Sequence, residues 1–292
     1  ALLLVPVYRS YFRPRISADI LYRMLQFGIP TIFTILAMRI MDYSDRFFIK
    51  YLLPDGDKQN GYYAVAYSLG MVGIMVFVNS FRLAWQPFFL SLKENPDARA
   101  IFSRVATYYA MFIGMVFLGI TLFRSELFHI YAPKFPVGLA DIIPYVAIAY
   151  ILDGFYLIMI AGIFIREKTI YLPLATAAGA AVNVILNIII IPMLGITGAA
   201  IATIVAYMAM VAVLYVISKR VYRVDYEFGR LGIVCIVTAF AAMLPEFISP
   251  QGSFENISMR VALIFLPPVV YLASGFIRPE EYRFLIRRGK IE

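Results

Sequence analysis

Cysteine, histidine and tryptophan each occur only once in this sequence of 292 residues, and charged residues make up only 15% of it. One cysteine cannot form an intrachain disulfide, and one cysteine with one histidine cannot build a His/Cys metal site. Hydrophobic residues instead make up 62% of the chain, and its mean hydropathy is +0.81. A soluble domain of this length could not bury so much apolar surface and still keep a polar exterior. The composition therefore predicts an all-α, polytopic integral membrane protein.

Eight apolar segments are separated by charged loops and by turns that contain proline and glycine. Each segment is long enough to cross a bilayer as a helix. The fifth segment contains the run ATAAGAA, whose small residues let helices pack closely, and the short sequence LGITG after it predicts a helical hairpin. The predicted spans are residues 21–52, 62–92, 101–123, 142–165, 171–193, 199–218, 231–248 and 261–277.

Basic residues fall unevenly on the two sides that these eight spans define. Of the 26 lysines and arginines, 18 lie in loops and termini on one side, and three lie within spans. Cytoplasmic loops of membrane proteins are enriched in lysine and arginine. We therefore place both termini in the cytoplasm and the protein in the cytoplasmic (inner) membrane, and we attribute the net charge of +8 to these loops rather than to nucleic-acid binding. The opposite side carries only Lys50, Lys58, Arg124, Lys134 and Arg260.

Four charged residues lie well inside the first predicted span: Arg39, Asp42, Asp45 and Arg46. An ionised side chain near the bilayer centre costs roughly 2.5 to 3.5 kcal/mol on insertion scales, so such residues face protein or water rather than lipid. At about 100° per residue, the four positions fall within an arc of about 120°. The first span therefore has one charged face, which must line a cavity or a helix interface.

Two interpretations of this charged face are open. Arg39 and Asp42 are three residues apart, and Asp42 and Arg46 four, so these pairs can neutralise each other along one helix. The other interpretation is a ligand-binding role. Alanines would form a packing surface at lower cost, and ionisable residues within a membrane commonly serve a function.

The second, fourth and fifth spans also carry polar residues. Asn79, Arg82 and Gln86 are spaced i, i+3 and i+7, which places them on one face of the second span. Trp85 beside them is either a packing aromatic or a platform on which a sugar ring stacks. Asp153 in the fourth span can pair with an arginine of a neighbouring helix. In the fifth span the asparagines at positions 183 and 187 lie one turn apart and can hydrogen-bond to other helices.

Three runs of sequence carry further information: MDYSDRFFIKYLL (41–53), NSFRLAWQPFFLSL (79–92) and NVILNIIIIPMLGITGAAIATIVAY (183–207). Together they resemble the multidrug/oligosaccharidyl-lipid/polysaccharide (MOP) exporter superfamily, and within it the Wzx-type polysaccharide repeat-unit flippases. The most specific piece is the pattern P-x-x-G-x-x-G-A-A-x-A-T at positions 192–203. The resemblance covers nearly the whole chain.

The resemblance implies a fold of two six-helix lobes around a central cavity, sometimes followed by two extra helices. On that basis residues 1–20 are the stub of a preceding helix and a basic connector. Residues 21–223 are the carboxy-terminal six-helix lobe, and residues 224–292 are two additional helices and a basic tail. The resemblance does not include the first of the two lobes, so we expect a partial transporter that needs an amino-terminal lobe or a second copy. We then expect Arg39, Asp45, Asn79 and Arg82 on an open or self-associating surface.

The resemblance also implies a function, which is transport of oligosaccharide repeat units on a polyprenyl diphosphate for surface polysaccharide biosynthesis. A diphosphate needs cationic donors, whereas carboxylates in the cavity can take up a coupling proton or sodium ion. No catalytic residue, metal site or other cofactor is expected. The residues expected to bind substrate are Arg39, Arg46, Arg82, Asn79, Gln86 and Trp85, and those expected to bind the coupling ion or tune the charge are Asp42, Asp45 and Asp153.

Three other functions compete with this interpretation. A lipid-linked peptidoglycan-precursor flippase shares the architecture and often has extra carboxy-terminal helices. A multidrug or cation antiporter shares it too, although three arginines in a cavity would repel cationic drugs. A membrane-embedded glycan polymerase or ligase is disfavoured, because the loops around His129 and Glu255 contain no paired carboxylates with a base nearby. We therefore predict a transporter and not an enzyme.

Overall fold

The computed structural model describes residues 17–248, 254–274 and 276 of the chain. These residues form helices joined by turns and short connections, and no strand occurs among them. The all-helical expectation is therefore confirmed for this part of the chain. The expected amino-terminal stub, the basic connector up to residue 16 and the basic tail from residue 277 lie outside the described residues.

Eight α-helices follow one another along the described chain. Two short 3-10 turns, Val137–Ile142 and Thr169–Tyr171, lead into the fifth and sixth helices. The helices are α1 (Ala18–Leu52), α2 (Gly56–Ser91), α3 (Ala98–Leu122), α4 (Arg124–Tyr131), α5 (Ile143–Ile165), α6 (Leu172–Val221), α7 (Phe228–Ile248) and α8 (Phe254–Ala273).

The 50-residue helix α6 reverses direction at Gly195, whose backbone angles are φ 61° and ψ −143°. Its two arms, 172–194 and 196–221, run side by side, because Asn183 on the first arm donates a hydrogen bond to Thr203 on the second at 3.5 Å. Closer to the turn, Gly198 lies against the backbone of Ile190. The helical hairpin predicted from LGITG is confirmed.

Six helical segments of the described chain are long and apolar enough to cross a membrane, and α6 is one of them. Since α6 folds into two arms, these segments have enough apolar length for seven crossings. The apolar part of α8, Ile257–Ala273, is shorter than a typical spanning helix. A multi-pass helical membrane protein is thus supported, while the count of eight spans stays a prediction.

The connection between α1 and α2 is tighter than predicted. We expected a polar turn that delayed the second span to residue 62, but only residues 53–55 separate the helices. Asp55 adopts the left-handed conformation (φ 52°), and Gly56 lies so close to the Lys50 backbone that a Cβ would collide with it. Lys50 also forms an ion pair with Asp57 at 2.9 Å. The glycine therefore permits the sharp reversal instead of extending the loop.

The core lies where α5 packs against α2 and α6, and α1 packs along α6. Helix α3 packs against α5 and α2, while α7 and α8 pack together against α3. Helix α1 buries only a narrow stripe and leaves most of its other side chains exposed. That buried stripe consists of Pro30, Thr34, Ala37, Met41, Asp45 and Ile49.

The two ends of the bundle differ in charge as the loop count predicts. At one end Arg99 and Arg166, from two different connections, both lie against the ring of Tyr222. At the opposite end of the bundle, Arg124 forms an ion pair with Asp141, and Arg260 forms an ion pair with Glu126. Loops that were assigned to the same side of the membrane therefore do meet in space, and we call the end that contains Tyr222 the basic end.

Candidate functional site on the charged face of the first two helices

Asp45 is the centre of a buried polar cluster between α1, α2 and α6. Its side chain is fully buried, and its Oδ2 accepts hydrogen bonds from Thr203 at 2.6 Å and Tyr63 at 2.7 Å. Its Oδ1 accepts hydrogen bonds from the amides of Asn187 at 2.8 Å and Asn183 at 3.3 Å. Polar side chains of both arms of α6 thus converge on one carboxylate of α1.

The donors around Asp45 are all uncharged. Each oxygen of the carboxylate accepts two hydrogen bonds, but no described lysine or arginine forms an ion pair with it. The side-chain oxygen of Asn187 is buried without a hydrogen-bond partner in the described structure, while Ser44 donates to the oxygen of Asn183. A buried charge without an opposite charge is costly. The cluster therefore offers several oxygen atoms and one uncompensated negative charge to a proton or a small cation.

Asp45 lies on the inner side of the charged arc, and Arg39 and Asp42 lie on its outer side. The side chain of Arg39 is 63% exposed and its guanidinium is 3.7 Å from the carboxylate of Asp42. Tyr207 from the second arm of α6 donates to Asp42 at 3.2 Å. The expectation of an open surface holds for Arg39 but is wrong for Asp45, because packing of α6 against α1 covers Asp45.

Arg46 lies between aromatic rings and has no carboxylate partner among the described ion pairs. Its guanidinium carbon lies 5.5 Å from the ring centre of Tyr43 and 5.7 Å from that of Tyr67. Its Nε is buried and makes no hydrogen bond within the described structure. The pairing of Asp42 with Arg46 that the i,i+4 spacing suggested is therefore not formed, because the aromatic rings hold the guanidinium instead.

Arg82 on α2 pairs with Asp153 on α5, with 3.0 Å between the guanidinium nitrogen and the carboxylate oxygen. The side chain of Arg82 is 44% exposed, whereas Asp153 is buried. The proposed pairing of Asp153 with an arginine of a neighbouring helix is present. The side chain of Arg82 is thus partly accessible on the open side, and it also neutralises the buried carboxylate of Asp153.

Tyrosine hydroxyl groups connect these charged residues. The hydroxyls of Tyr67 and Tyr150 are 2.6 Å apart. The ring centre of Tyr150 lies 6.1 Å from that of Tyr207, which donates to Asp42, and Tyr67 lies beside Tyr63, which donates to Asp45. Asp42 and Asp45, two of the carboxylates that we expected to tune charge or take up an ion, are therefore connected through a row of tyrosines.

The three remaining predicted residues on α2 differ in orientation. Asn79 and Gln86 are exposed on the same side as Arg82, as the spacing predicted. Trp85 is 4% exposed, and its indole Nε1 donates to the Leu157 carbonyl at 3.0 Å. Its ring packs among the phenylalanines at positions 81, 88, 89 and 102. Trp85 therefore packs in the core and does not face the open side, which corrects its assignment to the substrate-binding set.

Sequence reasoning missed the polar partners that α2, α5 and α6 bring to the acids. A signal for some of them was present, because Tyr63 and Tyr67 lie one turn apart on a membrane-spanning helix, as Asn183 and Asn187 do. Their pairing with Asp45 depends on which helices pack together, which spacing within one helix does not reveal. The missed residues are Ser44, Tyr63, Tyr67, Tyr150, Thr203 and Tyr207.

Comparison with known proteins supports the fold. No protein-family model matches the sequence, and no curated protein matches it. The fold is similar to a solved structure of the lipid II flippase MurJ in an inward-closed conformation, with a TM-score of 0.63 and 14% sequence identity. The similarity covers 94% of this chain and 60% of that chain. At this identity the match establishes a shared fold, and the chain spans about three fifths of the MurJ chain.

Proposed function

We propose that this chain is part of a flippase, and not an enzyme, that moves a lipid-linked, anionic glycan precursor across the cytoplasmic membrane. The observation that carries the proposal is Arg46, an intramembrane guanidinium on the charged face with a buried, unpaired Nε and no carboxylate partner among the described residues. The MurJ-like fold supports the same class of function. An arginine held this way has hydrogen-bonding capacity free for an anion.

The substrate group is a diphosphate, because arginine presents planar pairs of N–H donors that fit phosphate oxygens. Arg46 binds first, since it gives up no ion pair. Arg39 and Arg82 are partly exposed, so each can turn from its aspartate toward the incoming phosphate. Asn79 and Gln86 offer amide groups to the attached sugars.

The coupling ion binds at Asp45. A single buried carboxylate surrounded by hydroxyl and amide oxygens suits a proton or a sodium ion. A divalent ion prefers several carboxylates, and no group of three or more His, Cys, Asp or Glu side chains with metal-binding geometry occurs in the part of the chain that the structure describes. Asp42 connects this site to the substrate face, because it pairs with Arg39 and accepts a hydrogen bond from Tyr207 on the same helical arm as Thr203.

The transporter is completed by further protein. Arg39, Asn79 and Arg82 are exposed to a degree that is costly in lipid. A second lobe or a second copy of this chain covers them and forms the opposite wall of the cavity.

Two lipid-linked glycans fit this site. The sequence runs resemble Wzx-type flippases, which carry polysaccharide repeat units, whereas the structural match is to a lipid II flippase. Complementation separates them. The complete transporter that contains this chain is expressed either in cells without their repeat-unit flippase or in cells depleted of their lipid II flippase. Restored surface polysaccharide supports the first substrate, and restored growth supports the second. Failure of both, with normal membrane expression, contradicts the proposal.

The role of Arg46 is tested by comparing Arg46→Gln and Arg46→Lys in whichever cells are complemented. Loss of a charge-assisted hydrogen bond predicts export reduced by about tenfold or more in Arg46→Gln, with partial retention in Arg46→Lys. Arg23→Gln is the matched control, because Arg23 is an exposed arginine of the same helix and pairs with Asp19. Normal export by Arg46→Gln would leave this arginine with a structural role.

The alternative of a purely structural pair is tested at Arg39 and Asp42. The charge-swapped variant Arg39→Asp with Asp42→Arg preserves a structural ion pair but reverses the sign that an anionic substrate meets. We expect the swap and Arg39→Ala to lose export and Arg39→Lys to retain part of it. Full export by the swapped variant, at equal membrane expression, would show that the two residues only stabilise the helix.

A further inference from the structure

Three connections at the basic end enclose a polar cavity of about 390 Å³. Lys93 follows α2, Arg99 lies in the first turn of α3, Arg166 follows α5, and Tyr222 follows α6. All four line the cavity. Its lining contains none of the residues of the charged face of α1 and α2, so the proposed transport site does not account for it.

The two arginines in this cavity converge on one aromatic ring. The guanidinium carbon of Arg99 is 5.1 Å from the ring centre of Tyr222, and that of Arg166 is 5.8 Å from it. Tyr222 itself is buried against Phe102 and Gly162, which fixes its position. Cation–π contacts with a fixed ring hold both guanidinium groups in place without using their N–H donors.

Charge compensation in this cavity is incomplete. Neither Arg99 nor Arg166 forms an ion pair with a carboxylate among the described residues, whereas Lys93 pairs with Glu167 at 3.3 Å. Glu94 is the only acidic side chain in the described lining, and Glu167 already compensates Lys93, so the two arginines face one acid there. Two like charges held about one ring repel each other, and an anion between them relieves that repulsion.

The position of the cavity indicates what kind of anion it meets. The end of a bundle that is rich in lysine and arginine faces the cytoplasm, where the inner leaflet carries anionic lipid headgroups. Ile165 contributes an apolar side to the lining, beside the end of a membrane-spanning helix. The cavity is thus placed at the level of headgroups and combines a hydrocarbon side with phosphate-binding donors.

We propose that the pocket formed by Lys93, Arg99, Arg166 and Tyr222 binds the phosphate group of an anionic phospholipid. Each guanidinium offers planar N–H pairs to the phosphate oxygens. The bound lipid would tie together the connections after α2, α5 and α6. This role is separate from the proposed transport function and stands or falls independently of it.

The test is lipid-dependent thermal stabilisation of the purified full chain in neutral detergent. Phosphatidylglycerol is compared with phosphatidylcholine, and each variant is measured relative to its own midpoint without added lipid. We expect phosphatidylglycerol to raise the unfolding midpoint and phosphatidylcholine to leave it nearly unchanged. The variant Arg99→Gln with Arg166→Gln should need at least about tenfold more phosphatidylglycerol for half of the effect.

The control variant is Lys219→Gln with Arg220→Gln, which removes two exposed charges at the same end without touching the pocket. It should keep the lipid response. An equal loss of response in the control would mean general electrostatic attraction and would overturn the site.

A further arm adds inorganic phosphate at millimolar concentration. Full stabilisation by phosphate alone would overturn the lipid as the source of the anion, and absence of any difference between the two lipids would overturn the proposal altogether.

Discussion

Asp45 accepts four hydrogen bonds from neutral groups and forms no ion pair within the described part of the chain, so the free-energy cost of burying its charge depends on which cation neutralises it. If sodium binds there, a concentration tenfold above the dissociation constant stabilises the folded state by about 1.4 kcal/mol, which corresponds to a few degrees in the unfolding midpoint. We expect sodium chloride, but not choline chloride, to raise the midpoint of the purified protein, and Asp45→Asn to abolish this difference.

The control for that measurement is Asp57→Asn, which removes an exposed acid of the α1–α2 turn. It should keep the sodium response. If neither salt has an effect on the native protein, while Asp45→Asn alters the pH dependence of export, the ion at Asp45 is a proton. A sodium response that persists in Asp45→Asn would place the cation elsewhere.

Trp85 illustrates a residue whose type suggests function while its surroundings show packing. Substitution of a buried tryptophan by a much smaller residue costs about 3 to 5 kcal/mol through lost packing. We expect Trp85→Leu to lower the amount of folded protein in the membrane, but to leave export per folded molecule unchanged, because the indole does not reach the open face. Quantitative export normalised to monodisperse protein measures this. Reduced export per folded molecule would return Trp85 to the substrate site.

At the scale of the helix, Gly195 controls the reversal of α6. Its ψ of −143° at positive φ is outside the region that other residues adopt easily, and such strain costs of order 1 to 3 kcal/mol. Gly195→Ala should therefore lower the thermal midpoint by several degrees, even though an added Cβ would meet no atom within 4 Å.

Gly28→Ala is the matched control for that variant. Gly28 also has open space around an added Cβ, but it lies inside α1 with ordinary backbone angles. Alanine there should be neutral or stabilise by up to about 1 kcal/mol, because glycine is the weaker helix former. Equal destabilisation by both variants would mean that the turn conformation at Gly195 is not the cause.

The hairpin in α6 could be predicted from the sequence because its determinants are local. Pro192, Gly195 and Gly198 lie within a dozen residues, and they confine the reversal to one place. The start of α2 could not be placed in the same way. Gly56 and Gly61 look alike as breakers, yet one permits a tight turn against Lys50 and the other lies within the helix.

The features of the site that depend on the sequence of one helix could be predicted, whereas those that depend on contacts between helices could not. The charged arc of α1 follows from helical periodicity, and so does the face formed by Asn79, Arg82 and Gln86. Three of the four donors to Asp45 come from α6, far along the chain, and Tyr63 comes from the neighbouring helix α2, so only tertiary packing brings them together. Spacing also could not decide between Asp42 and the tyrosine rings as partners of Arg46.

For the whole molecule, the charge difference between the two ends predicts orientation in the membrane. In a Cys235→Ser background, Lys134→Cys and Lys168→Cys place single thiols in exposed positions at opposite ends. A membrane-impermeant maleimide added to intact cells should label the first variant and should label the second only after permeabilisation. Labelling of Lys168→Cys in intact cells would invert the topology.

The sequence separation within the Asp45 cluster has a consequence for biosynthesis. Asp45 and Asn187 are 142 residues apart, and Asp45 and Thr203 are 158 apart, so α1 enters the membrane long before most of its partners exist. Asn183, Asn187 and Thr203, by contrast, lie in one hairpin and can satisfy one another as soon as the hairpin inserts. A carboxylate placed in hydrocarbon without hydrogen-bond donors is energetically costly. Helix α1, although synthesised before α6, is therefore expected to reach its final position only after the hairpin has inserted, and until then it stays near the insertion machinery or at the membrane surface.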